Sequence, residues 1–204
     1  VRTSDNPEYF WGNLLIYAEP PTHGDFRQWT EDFRAEFGST PQVQHMSFCW
    51  DLGVPDDLDT DISEFESHGF DFDETVILVN HKALDPAHRN THVEMQALST
   101  DQQWSELVDL QVEINDGEYT EEHYRPLAEK KMEDYRTLTK SGLGHWYGAY
   151  ADGRMVSNLG LFAENGIARF QEIGTHAGFR RKGIAQTLMA HAAQRCPSDH
   201  FVIE

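Results

Sequence analysis

The spacing of apolar residues divides the chain into alternating strand and helix patterns. Tyr9 to Ala18 begins with aromatics, continues through Leu14-Leu15-Ile16-Tyr17 and is stopped by Pro20-Pro21, which reads as a strand. Phe26, Trp29, Phe33 and Phe37 recur at helical spacing, with Gly38 at the position of a helix C-cap, and predict a helix. Val43 to Trp50 predicts another strand, and Asp51 to Asp61 an acidic loop. Ile62 to His68 predicts a short helix ending at Gly69, and Thr75 to Asn80 a short apolar strand. Residues 9–80 therefore run strand, helix, strand, helix, strand, and Asp85 to His92 reads as a linker.

Beyond the linker, Val93 to Leu98 predicts a strand. Thr100 and Gln103 have the spacing of a capping box, and the helix they open aligns Trp104, Leu107, Val108 and Gln111 on one face. Thr120 starts a further helical region whose main part Pro126 is expected to begin or kink, with Tyr135 and Leu138 extending its apolar stripe to Gly142. His145–Ala151 and Arg154–Ala163 flank Asp152-Gly153, a strong two-residue hairpin signal. A second turn, Glu164-Asn165-Gly166, leads into a third antiparallel strand, Ile167 to His176. Gly183 to Arg195 is rich in Ala, Leu and Gln and reads as a helix with Ile184, Leu188 and Ala192 as its buried stripe; Phe201 to Ile203 reads as a closing strand. These elements predict an α/β fold of the α+β type, a mixed and mostly antiparallel central sheet flanked by helices, preceded by an N-terminal α/β half-domain. The expected division is 1–90 and 91–204.

Composition narrows the function classes. With 204 residues, 39% hydrophobic and 12% aromatic, the chain can bury a real core. No apolar run reaches the roughly 20 residues of a membrane span, and no leader pattern is legible at the start, so the expectation is a cytoplasmic protein without a membrane partner. Sixteen basic against 35 acidic residues give a net charge of −19, which repels a phosphate backbone and argues against nucleic acid, while favouring cationic partners. Cys49 and Cys196 make no disulfide framework and read as reduced thiols. His88 and His92 are four apart but lie in polar, proline-containing surroundings with no third ligand, so no metal site is expected. A dinucleotide glycine motif, a P-loop lysine and a flanked serine or cysteine nucleophile are all missing.

The chemistry concentrates in the turn Arg180-Arg181-Lys182-Gly183-Ile184-Ala185, between the third strand and the helix that follows. Gly183 can adopt backbone angles closed to other residues and has no side chain to block a ligand. The helix behind it offers unpaired first-turn N–H groups and the positive end of its dipole. Arg180, Arg181 and Lys182 add charge, and Ala185 keeps the first helical turn small. A phosphate fits such a cradle; the alternative is a basic surface loop ahead of an ordinary core helix.

Arg180, Gly183 and Ala185, preceded by a strand ending Glu-Ile-Gly-Thr-His, resemble the acyl-CoA pyrophosphate loop of the GNAT superfamily of N-acyltransferases, whose signature is Gln or Arg, two residues, Gly, one residue, then Gly or Ala. The three antiparallel strands ahead of the turn follow the order of that fold. The resemblance implies acetyl-CoA as cosubstrate, bound at residues 173–187, with Ile173 and Thr175 at the backbone positions that face the pantetheine arm and Gly174 between them. Arg180, Arg181, Lys182, Gly183, Ile184 and Ala185 would then hold the pyrophosphate. A proline usual two positions after the second pantetheine residue is Ala177 here. The implied reaction is direct attack of a primary amine, on a small molecule or a peptide, on the acetyl thioester.

Such an attack needs a neutral amine, hence a base. Glu172 and His176 are the candidates. Alternation places Glu172 on the face opposite Ile173 and Thr175 unless a bulge intervenes. Two rival readings share these residues: a CoA-binding module without turnover, and a protein that recruits a partner through residues 1–90. GNAT domains also continue past the strand represented by Phe201 to Ile203 into a further helix, which often carries a tyrosine for the thiolate, and two more strands. The sequence stops at Glu204, and residues 9–80, with the Gly69-Phe70 pair, read like a degenerate second half of the same fold. Either the chain is a piece of a tandem protein, which predicts an uncovered edge on the closing strand, or its N-terminal half supplies the missing elements.

Overall fold

Two units, Val1–Glu74 and Thr75–Glu204, divide the chain. The computed structural model describes every residue except 5, 8, 51–59, 82–84, 87, 116 and 118, so most of the expected acidic loop at 51–61 lies outside the described residues.

The first unit is built on aromatic side chains. Its strand β1 (Leu15–Tyr17) pairs in parallel with β2 (Phe48–Trp50) through the helix α1 (Asp25–Phe37), and α2 (Ser63–Ser67) follows. Trp29 of α1 stacks on Tyr17 at 3.8 Å between ring centroids and touches Phe48, Trp50 and Phe65. Such contacts add to simple area burial in a unit with few aliphatic side chains. The strand expected over Tyr9–Ala18 is shorter than predicted. Phe10–Gly12 forms a 3₁₀ turn instead, because the buried Asn13 side chain donates to the carbonyls of Asn6 and Tyr9 and accepts from the Thr3 N–H, holding the backbone out of extension. The strand expected over Val43–Trp50 likewise reduces to β2. Gly38 caps α1 in the right-handed conformation rather than the left-handed one.

The second unit carries a six-stranded sheet in the order β3-β8-β7-β6-β5-β4. In chain order its elements are β3 (Leu78–Asn80), β4 (Glu94–Ala97), α3 (Asp101–Ile114), α4 (Glu121–Lys140), β5 (Gly144–Ala151), β6 (Arg154–Glu164), β7 (Ile167–Thr175), α5 (Ile184–Ala193) and β8 (His200–Ile203). Neighbours are antiparallel except β7 and β8. Thr100 accepts from the Gln103 N–H while the Gln103 side chain returns to the Thr100 N–H, so the predicted capping box opens α3. Asp152 and Gly153 both have positive φ, the conformation that joins twisted strands through two residues. Pro126 neither begins nor divides its helix: α4 runs unbroken from Glu121 through Lys140.

Each face of this sheet has its own core. On one, α5 lays Ile184, Leu188, Ala192 and Ala193 against Tyr147, Val156, Leu159, Leu161 and Phe170. On the other, α3 and α4 pack Leu107, Leu110 and Met132 against Trp146, Tyr150 and Met155. Strand β6 serves both, which explains its near-continuous burial where a strand with one wet face would alternate.

One expectation is overturned here. The outer edge of the closing strand β8 is covered: β3, read from the sequence as part of the N-terminal region, pairs with it antiparallel, Leu78 opposite Ile203 and Asn80 opposite Phe201. An extended apolar run left beside an open sheet edge satisfies both sets of backbone groups by pairing. Among the described residues no helix is long and apolar enough to cross a membrane.

Candidate functional site

The site starts where two parallel strands part. Strand β7 pairs with β8 only from Ile167 to Arg169, and then continues alone on that side to Thr175. On its other side β7 stays paired with β6, but the register shifts: Asn158 faces Gly174 while Gly160 faces Gln171, so β7 carries one residue more than β6. This is the bulge that alternation alone could not supply, and Glu172, with φ of 49°, is the residue in left-handed conformation within it. A non-glycine residue held there costs of order 1–3 kcal/mol and marks a position fixed by its surroundings.

The bulge breaks the alternation: consecutive Gln171 and Glu172 both reach α4, and only the next residue turns to the other face. Ile173 packs toward the α5 core. Glu172 accepts from Lys131 Nζ of α4 at 2.9 Å, both side chains mostly buried, and Gln171 accepts from the Tyr135 hydroxyl of the same helix at 3.2 Å. Beneath them lies a polar set that the sequence reading missed. Gln111 and Trp146 both donate to Asn158 Oδ1, at 3.1 and 3.2 Å, in full burial, and Asn158 Nδ2 has no partner among the described residues. Ser157 donates to the Gly174 carbonyl at 2.7 Å and bonds Thr175 Oγ1 at 2.9 Å, pinning the end of β7. An adjacent Ser-Asn pair inside an otherwise apolar strand was the available signal, since buried polar side chains demand partners.

His176, the second base candidate, has a structural task. Its Nδ1 accepts from the Gly178 N–H at 3.2 Å, capping a 3₁₀ turn at Ala177–Phe179, and its Nε2 lies 3.9 Å from a Glu113 carboxylate that is bonded to Arg154. The turn engages the Nδ1 lone pair, while Nε2, at 3.9 Å from the carboxylate, lies beyond hydrogen-bond distance.

The basic turn forms the rim of a cavity of about 640 Å³, lined by Thr175, Phe179, Arg180, Arg181, Lys182, Gly183, Ile184, Ala185, Gln186 and, from far earlier in the chain, His88. Arg180 Nε donates to the Thr175 carbonyl at 3.0 Å, tying the turn to the strand end. Lys182 donates to the Gly178 carbonyl and stands 4.8 Å from the Phe179 ring centre. Gly183 caps α5 in left-handed conformation, φ 73°, and a Cβ there would lie 2.8 Å from the His88 carbonyl oxygen. Only glycine meets both demands. Because it brings no side chain, the first-turn N–H groups of Ile184, Ala185 and Gln186 are uncapped and point out of the helix start. The predicted residues are thus brought together in two places: Arg180 to Ala185 around the cavity with Thr175, and Glu172 with Ile173 at the bulge. Among the described residues no three His, Cys, Asp or Glu side chains gather as a metal cluster would.

Residues 104–203 match the model of the acetyltransferase (GNAT) family, a span covering α3 through β8. Among solved structures, a functionally unknown conserved protein from Staphylococcus epidermidis superposes with a TM-score of 0.62 at 15% identity, covering 98% of this chain and 76% of that one. A GCN5-related N-acetyltransferase from Kribbella flavida gives 0.55 at 14% identity over 92% of this chain and 69% of that one. The PaiA N-acetyltransferase of Thermoplasma acidophilum, solved in complex with coenzyme A, gives 0.43 at 20% identity over 50% of this chain and 70% of that one. No curated protein matches the chain in sequence.

Proposed function

Residues 104–203 are a GNAT acetyltransferase-family domain, and on that premise we propose that the protein is an N-acetyltransferase whose cosubstrate, acetyl-CoA, lies along β7 with its pyrophosphate in the Arg180–Ala185 turn. The observation that carries this reading is the cavity itself: three cations, a left-handed glycine and an uncapped helix start converge on it. The residues fit a pyrophosphate, since the described lining holds three cations and no carboxylate, and the first helical turn is uncapped. When bound, acetyl-CoA supplies an activated acetyl thioester to an amine.

The chain's own residues do the rest. Ile173, Gly174 and Thr175 offer the backbone edge that β8 vacates, and the Ser157 bonds keep that edge rigid. Glu172 is the base: its carboxylate stands on the bulge and takes the proton of the attacking ammonium directly or through water. Lys131 orients that carboxylate through the 2.9 Å ion pair, and a cationic acceptor would compete for it. The acceptor is a primary amine on a small molecule or peptide, and an overall charge of −19 favours one that is cationic. A cytoplasmic setting, where acetyl-CoA and reduced cysteines coexist, suits this reading.

A second reading, a CoA-binding module without turnover, draws support from the same ion pair, because Lys131 occupies the carboxylate that would serve as base, and from His176, whose Nδ1 is committed to capping a turn. Thiol release from acetyl-CoA in the presence of a panel of mono- and polyamines separates the two. Amine-dependent release establishes transfer; tight CoA binding without release against every amine establishes the module.

A further inference from the structure

Residues 85–92 read from the sequence as a linker, but the structure gives the part from His88 to Asn90 a fixed place against the basic turn. Asn90 Nδ2 donates to the Lys182 carbonyl at 2.9 Å, and the Asn90 backbone N–H donates to Thr187 Oγ1 at 2.8 Å. Thr187 in turn donates to the Gly183 carbonyl at 2.7 Å. The His88 carbonyl abuts Gly183, and His88, itself exposed, lines the same cavity as the three cations. A segment more than ninety positions away in sequence is therefore bonded to both sides of the helix start. An ordinary connection between two strands has no need of such bonds.

We propose that His88–Asn90 is the second wall of the anion site: Asn90 is a positioning residue that ties back the Lys182 carbonyl, and His88 supplies an imidazole donor to a phosphate oxygen of the bound diphosphate. A carbonyl turned toward an anion repels it, so tying it to an amide leaves the turn presenting N–H groups. The imidazole completes a ring of donors around the cavity with Arg180, Arg181 and Lys182. The identity of the diphosphate as that of CoA rests on the acetyltransferase reading; the wall itself requires only a pyrophosphate.

Calorimetric titration of the full chain with inorganic pyrophosphate and with CoA, for wild type, Asn90→Ala and His88→Ala, tests it. Asn90→Ala should weaken both ligands about tenfold and His88→Ala about fivefold, the range of a typical single hydrogen bond's net contribution. His88 is exposed, so its variant should melt with the wild type and keeps the test valid should Asn90→Ala lower the melting temperature. Equal affinities in all three proteins overturn the wall and leave the coenzyme reading standing. So does an Asn90→Ala protein that melts earlier yet binds as tightly, provided His88→Ala also binds normally. If wild type takes pyrophosphate but not CoA, and the variants weaken pyrophosphate, the wall stands and the coenzyme reading falls. A wild type that binds neither ligand overturns both.

Discussion

The two units contain the same local construction with opposite chemistry. In the first, β1, α1 and β2 form a parallel strand–helix–strand whose helix starts at Gly24 in left-handed conformation, φ 90°; in the second, β7, α5 and β8 do the same from Gly183, φ 73°. At α1 the turn is Pro20-Pro21-Thr22-His23, without Lys or Arg, and Asp25 at the first helical position accepts from both the backbone N–H and the hydroxyl of Thr22 at 2.7 Å. The helix start has its own anion. At α5 the first turn holds Ile184, Ala185 and Gln186, no carboxylate, and three cations precede it. A Cβ on Gly24 would meet nothing within 4 Å, whereas at Gly183 it would strike the His88 carbonyl. The skeleton is therefore indifferent to function: whether a glycine-capped helix binds an anion depends on whether it brings a carboxylate of its own.

The largest effect should come from giving α5 what α1 has. Gly183→Glu places a carboxylate in the cradle, and about 4 kcal/mol of repulsion against a bound anion at close range corresponds to a loss of CoA affinity on the order of 1000-fold. Gly183→Ala, with steric conflict and strain but no charge, separates bulk from electrostatics. Unchanged CoA affinity by calorimetry in the glutamate variant rejects the site. Next in size is Glu172→Gln, which should lower kcat on the order of 100-fold while leaving CoA affinity unchanged, as expected for a base that does not touch the cosubstrate's phosphates. Full activity in that variant would remove Glu172 from the chemistry.

What could be read in advance differs between these two constructions for physical reasons. The α5 turn was legible because its signal is local: Arg180, Gly183 and Ala185 lie within six residues, and the hairpins ahead of it have two-residue turns whose sequence dictates their geometry. The bulge at Glu172 was not, because an extra residue on one strand is set by the partner's register, here fixed by the buried Asn158 and Ser157. The roles of Lys131, His88 and Asn90 depend on contacts spanning 41 to 97 positions, which no local pattern encodes. The edge strand β3 failed for the same reason. Its apolar run was visible, but its partner β8, at the other end of the chain, was not. Around Asn13 a single side chain making bonds to Thr3, Asn6 and Tyr9 overrode the strand propensity of its neighbours.

The smaller effects belong to α1. Replacing Asp25 with Ala removes both Thr22 bonds and should destabilise the first unit by about 1 kcal/mol, measured as faster amide exchange across residues 25–37, without altering CoA affinity. If CoA affinity changes with it, the two helix starts are not independent and the comparison fails. Acid should then erase even this difference. The Thr22 N–H, followed by its hydroxyl, holds the Asp25 carboxyl below its ordinary value, so the folded form binds its proton less readily than the unfolded chain does. The stabilisation is therefore complete above the unfolded value near 4 and is lost as pH falls through the lower folded value. Urea unfolding of wild type and Asp25→Ala should differ at pH 7 and draw together as pH falls below the unfolded value of about 4. A gap that stays constant over that range would mean that Asp25 acts through packing rather than charge, and that α1 does not carry its own anion after all.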